Sequence, residues 1–159
     1  MEILVTGATG FIGRNLIKRL ISKGHHIIAI SRNIDNTFMN PDENLRLIKY
    51  DLSLQNNNLL DNLDLPDICI HLAWDGIPDY EGSFNITNNL VNDISFLGNL
   101  IQSGLKRVLV AGTCLEYGRS LKGELKEEMI TLPDTAYGIA KDTLRILLQN
   151  WQRSMEYKL

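Results

Sequence analysis

Five short apolar runs, at 2–6, 26–31, 45–49, 67–72 and 107–112, alternate with stretches at 11–23, 84–103 and 135–153 whose apolar residues recur at helical spacing. This alternation constrains the fold more than any other feature. Strands that alternate with helices pair in parallel through crossover connections, so a parallel sheet is expected. The stretch at 84–103 places Leu90, Ile94, Leu97 and Ile101 on one helix face and stops at Gly104. Between Asp51 and Leu65 the pattern weakens, and a short helix is expected there. Residues 113–134 read as a long loop with a small turn at 121–124. Loops of that length inside a domain are usually functional.

Composition narrows the class. A chain of 159 residues makes about one domain and buries roughly 70% of its unfolded surface. A formal charge of −3 excludes a broad basic face for nucleic acid. No apolar run approaches a membrane span, and the N-terminus opens with a strand rather than a basic and apolar leader, so a cytoplasmic protein is expected. Cys69 and Cys114 each fall within or beside an expected buried strand without a partner at metal-ligand spacing. They read as reduced thiols, and no metal site is expected.

Gly7, Gly10 and Gly13 follow the first strand at a spacing of three and open the first helix. At that junction glycines serve a tight turn, a close approach of backbone to pyrophosphate, and close packing of helix on strand. The helix N-terminus adds free N–H groups and partial positive charge. A dinucleotide is therefore the expected ligand of residues 7–13.

"TGATGFIG" at 6–13, "DL" at 51–52, "HLAW" at 71–74, "AGTCLEYG" at 111–118 and "YGIAK" at 137–141 stand in order along nearly the whole chain. Together they resemble the extended short-chain dehydrogenase/reductase family, in its nucleotide-sugar epimerase/dehydratase branch. The resemblance implies a Rossmann-type doubly wound parallel α/β sheet, with 1–159 as an NAD(P)-binding domain truncated before the family's C-terminal substrate lobe. It also implies a nucleotide-sugar substrate and a homodimer when full length.

By the same resemblance Gly7, Ala8, Thr9, Gly10, Phe11, Ile12 and Gly13 hold the cofactor, with Asp51 and Leu52 at the adenine. Leu72, Ala73 and Trp74 pass beside it, and Asn89 supports the active site. His71, by contrast, reads as a core histidine. At the end of the second strand an acidic residue would bind a ribose hydroxyl and repel a 2′-phosphate. Ser31 and Arg32 stand there instead, and an arginine suits a phosphate. NADP(H) is therefore favoured, with NAD(H) the alternative.

Tyr137 and Lys141 lie four residues apart on an expected helix, on one face, with Asp134 or Thr135 as its cap. An ordinary tyrosine, with a pKa of about 10, needs help to ionise at neutral pH. A nearby ammonium and an oxidised nicotinamide would favour the phenolate. Thr113, at the end of the fifth strand, can hold the reacting oxygen. Thr113, Tyr137 and Lys141 are thus the expected catalytic residues, with Tyr137 and Lys141 also expected at the cofactor and Thr113, Cys114 and Glu116 toward the substrate. Dehydratases of the family carry an Asp-Glu pair after the serine or threonine, and Cys114-Leu115 supplies none.

"HLAWDGIPDY" and "GTCLEYG" are most similar to reductases of nucleotide-linked 4-keto-6-deoxyhexoses, enzymes of surface-polysaccharide synthesis. A nucleotide-sugar 4-epimerase is the alternative within the family. A non-catalytic dinucleotide-binding module is the alternative outside it.

Overall fold

A computed structural model describes residues 1–33, 42–54, 63–120 and 123–156. Strands β1 (Glu2–Thr6), β2 (His26–Ser31), β3 (Leu45–Lys49), β4 (Ile68–His71) and β5 (Val108–Val110) form one sheet in the order β3-β2-β1-β4-β5. All four pairings are parallel. This is the Rossmann order, in which the chain starts at the centre and winds outward in both directions. β4 and β5 are shorter than the apolar runs that announced them.

The central strands β1 and β2 are apolar on both faces because both are covered there. Ile3, Val5, Ile27, Ala29 and Ile70 pack with Ala8 and Ile17 on one face, beside Leu16, Leu20 and Ile21 of helix α1 (Phe11–Ile21). Side chains of opposite parity point the other way. There the ring of His71 lies 5.9 Å from that of Phe96 on helix α2 (Val91–Gln102). Helices thus lie on both faces, which makes the sheet doubly wound.

The chain divides into two compact units, Met1–Trp74 with Ser95–Ala111, and Asp75–Ile94 with Gly112–Leu159. The first holds the whole sheet. The second holds a π-helical segment at Asn85–Leu90, a 3-10 turn at Cys114–Tyr117 and helix α3 (Ala136–Glu156). The helix expected at 84–103 therefore opens with a wider winding, which buries Asn85 and Asn89 along with Leu90. A 3-10 turn at Leu52–Leu54 stands where a short helix was expected, and 55–62 lie outside the described residues. So do 121–122 of the turn expected at 121–124.

Cys69 is buried, but Cys114 is exposed. Both are reduced thiols, Cys69 within β4 and Cys114 beyond the end of β5 at Val110, where it opens the 3-10 turn. No helix among the described residues is long and apolar enough to cross a membrane.

Candidate active site

In the first unit every selected residue falls at the C-terminal edge of the parallel sheet. Gly7 to Gly13 follow β1, Ser31 ends β2 and Arg32 follows it, Asp51 and Leu52 follow β3, and Leu72 to Trp74 follow β4. Gly7 has φ +65°, and a Cβ there would lie 2.8 Å from Ala73 N; a Cβ on Gly13 would lie 2.7 Å from Ala8 O. The fold itself demands those two glycines. Gly10 is different. Its backbone is extended, with φ −73° and ψ 171°, and the nearest neighbour of an added Cβ would be Gly7 O at 3.2 Å. The smallness of Gly10 therefore suits an approaching ligand more than the chain's own packing. No side chain caps α1 at Gly10, and its first turn carries no acidic residue, so the helix's positive end is left for an anion.

Hydrogen bonds hold this edge in place. Thr6 Oγ1 accepts from Leu72 N and Ala73 N, each at 3.2 Å, and lies 2.9 Å from His71 Nδ1. With both lone pairs used, the hydroxyl proton goes to Nδ1, so the ring's own proton sits on Nε2. His71 is fully buried, as expected of a core histidine, and its bond to Thr6 fixes the segment after β4. Ser31 Oγ donates to Asn33 O at 3.1 Å, so Thr9 donates the 2.9 Å bond that joins the glycine turn to the end of β2. Asp51 Oδ1 accepts from Ser53 N at 2.9 Å and Ser53 Oγ at 2.8 Å, which makes it the residue that opens its turn.

In the second unit, Thr135 caps α3, its Oγ1 accepting from Gly138 N at 2.9 Å. Asp134, the other expected cap, pairs with Arg119 at 3.3 Å. Tyr137 sits in the first turn, hydrogen-bonded to the Thr113 side chain. Burial raises the Tyr137 phenol above its ordinary value; the Thr113 bond opposes this, while Tyr80, Glu116 and Cys114 add to it. One turn on, Lys141 is 4% exposed, and burial lowers its pKa to about 8 against the opposing charges of Asp93 and Glu116. The protein's own groups thus favour a neutral phenol beside a buried lysine.

Asn89 Nδ2 donates to Asp75 O at 2.9 Å, so it braces the segment after β4. Asn85 does the same through Asp79 O at 2.9 Å and Gly82 O at 3.0 Å. Glu116, expected at the substrate, is buried; its Oε1 accepts from Thr113 N at 2.8 Å and its Oε2 lies 3.3 Å from Arg145 Nε. Cys114 stands exposed beside it.

Several residues of the cluster escaped the sequence reading. Tyr80 O accepts from Tyr137 N at 3.0 Å, and the two rings lie 5.4 Å apart. Gly138 lets α3 approach the 3-10 turn, since a Cβ there would lie 2.5 Å from Leu115 O. The available signal was the four-residue spacing of the polar Asn85, Asn89 and Asp93 inside a helical stretch; in the structure all three are buried.

The family model for the NAD dependent epimerase/dehydratase family matches residues 3–159. The chain is 32% identical over 148 residues to a dTDP-6-deoxy-L-talose 4-dehydrogenase (NAD(+)) of Aggregatibacter actinomycetemcomitans, covering 91% of this chain and 53% of that one. A UDP-glucose 4-epimerase of Thermotoga maritima, solved with UDP-glucose, superposes with a TM-score of 0.81 at 24% identity, covering 96% of this chain and 52% of that one. That likeness is one of fold. The Bordetella bronchiseptica enzyme WbmG, solved in complex with NAD, superposes with a TM-score of 0.73 at 26% identity, over 94% of this chain and 49% of that one. The chain thus spans about half the length of the relatives it matches. With the sheet order, the glycine turn and a match over residues 3–159, the chain belongs to the NAD-dependent epimerase/dehydratase family.

Proposed function

We propose that this chain is the cofactor-binding part of a nucleotide-sugar oxidoreductase that reduces a 4-keto-6-deoxyhexose. The observation that carries the reading is the Thr113–Tyr137 hydrogen bond one helical turn from buried Lys141. Such a cluster costs stability, and a module that only binds a dinucleotide does not need all three residues together. The relative at 32% identity, named for a 4-dehydrogenase acting on a dTDP-6-deoxyhexose, supports the sugar class.

Gly7 to Gly13 hold the pyrophosphate, with Gly10 giving it room; Asp51, Leu52 and Leu72 to Trp74 line the rest of the cofactor. When bound, the nicotinamide supplies the hydride for reduction. Tyr137 gives its proton to the sugar keto oxygen as charge develops there. A phenol raised by burial is protonated at neutral pH, which suits a donor. Thr113 orients the oxygen, and Lys141, with its pKa of about 8, still carries its charge at pH 7 beside the reaction.

Arg32 favours NADP(H), because the end of β2 carries an arginine where an acidic residue would repel a 2′-phosphate. Self-association of the full-length protein as a homodimer is supported by exposed Ile86, Val91, Ile139 and Ile146 on its helices, and light scattering tests it.

The test is isotopic. Full-length protein is given a reduced dinucleotide deuterated at the transferable position of the nicotinamide, with a nucleotide-linked 4-keto-6-deoxyhexose. Deuterium is expected at sugar C4 with stoichiometric oxidation of the dinucleotide. Interconversion of UDP-glucose and UDP-galactose without net oxidation would assign the protein as an epimerase instead.

A further inference from the structure

We propose that Glu116, clamped between the Thr113 backbone amide and the Arg145 guanidinium, is the positioning residue that sets Thr113 against Tyr137. The inference rests on the reading of Thr113 and Tyr137 as the reacting pair. Glu116 answers the turn's own cap: Leu115 N donates to Thr113 Oγ1 at 3.3 Å while Thr113 N donates to Glu116 Oε1 at 2.8 Å. A capping box alone asks for neither burial nor a second partner. Here the other oxygen, Oε2, lies 3.3 Å from Arg145 Nε, on α3 two turns beyond Tyr137.

Two further features converge on that carboxylate. Gly112 leaves it space, since a Cβ there would sit 2.9 Å from Glu116 Oε1. Arg145 is itself anchored, paired with Asp142 and donating to Thr131 Oγ1 at 3.3 Å, while Thr131 donates to Asp142 Oδ2 at 3.2 Å. The turn that carries Thr113 is therefore fixed to α3 at two points. One is the approach of Leu115 O to Gly138, and the other is the Glu116–Arg145 pair. Tyr137 directly precedes the first anchor and Lys141 lies between the two, so the pair sets the spacing of the reacting hydroxyls.

The tests are kinetic and structural, on the full-length protein. Glu116→Gln keeps an acceptor for Thr113 N but breaks the pair with Arg145, and Arg145→Met breaks it from the other side. Each is expected to lower kcat about tenfold to a hundredfold, the usual cost of a small misplacement, with dinucleotide affinity unchanged. The double variant should lose no more than either single one, because both remove the same clamp. Loss of the Glu116 charge also removes one of the groups that raise Tyr137, the others being Tyr80 and Cys114, and one of two that raise Lys141, the other being Asp93. The pH profile of kcat should therefore move to lower pH in Glu116→Gln, a shift that a purely structural role would not give.

Unchanged kcat, additive losses, or a parallel fall in dinucleotide affinity would overturn the clamp. A second measurement does not need turnover: in Glu116→Ala, hydrogen exchange at the Thr113 amide should quicken while exchange at Val5 in β1 stays slow. An unchanged Thr113 amide overturns the clamp as well. Lost Thr113 protection in a protein whose wild type turns over no nucleotide sugar would uphold the clamp and overturn the proposed function.

Discussion

The two units bury different kinds of side chain. In the first, the buried set is Ile3, Leu4, Val5, Ile17, Ile27, Ile28, Ile30, Ile70 and their apolar neighbours, with Thr6 and His71 as its polar members. In the second, Asn85, Asn89, Asp93, Glu116, Thr135, Lys141 and Asp142 are buried beside Leu90, Tyr137, Ala140 and Leu144. Each aliphatic side chain of the first kind stabilises by about 1.5–3 kcal/mol. Buried charges of the second kind cost several kcal/mol each, on the order of what pairing returns. The sheet unit is thus built as a fold, whereas the other unit buries ionisable groups of the kind that cluster at functional sites.

The largest effect that sharpens this contrast is Gly13→Ala. Its Cβ would press on the backbone of Ala8, which cannot step aside. A loss of about 3 kcal/mol is expected in urea unfolding, the upper end of overpacking costs, and a loss below about 1 kcal/mol would mean that the turn is looser than its geometry. Next is a pH effect in the other unit. Lys141 titrates at about 8 in the folded protein against an ordinary 10.5. Between those values the unfolded chain binds more protons than the folded one, so stability rises with pH across that window, and below it the burial cost is fully present. From pH 7 to 10 the gain should be about 2 kcal/mol, and Lys141→Met should flatten it. A wild-type curve that is already flat would show that Lys141 is solvated. The smallest effect concerns cofactor choice. Arg32→Ala should weaken NADP(H) about tenfold by calorimetry, roughly the worth of one charge-assisted contact, and leave NAD(H) unchanged. Equal weakening of both, or tighter NAD(H) binding by the wild type, would remove the 2′-phosphate assignment.

The same contrast explains what could be read from the sequence. Strand positions and helix starts were legible because the sheet unit obeys local rules: apolar runs, a glycine turn, and helical periodicity that ends in glycine or a break. The π-helical opening at Asn85–Leu90 was not, because α and π windings share the same residues there and differ only in which carbonyl each amide finds. The pairing of Glu116 with Arg145 was not legible either, because the two lie 29 positions apart in the sequence. Tyr80 was missed for a like reason, since its carbonyl meets Tyr137 N across a separation that no local pattern encodes.

The central claim is that Tyr137 is the proton donor in hydride transfer to a sugar. Its most direct test is steady-state turnover of full-length Tyr137→Phe with a nucleotide-linked 4-keto-6-deoxyhexose, alongside calorimetry of the dinucleotide. The expected result is a fall in kcat of about a hundredfold to ten-thousandfold, the usual worth of general acid catalysis, with cofactor affinity within about twofold of the wild type. Turnover near the wild-type rate would contradict it.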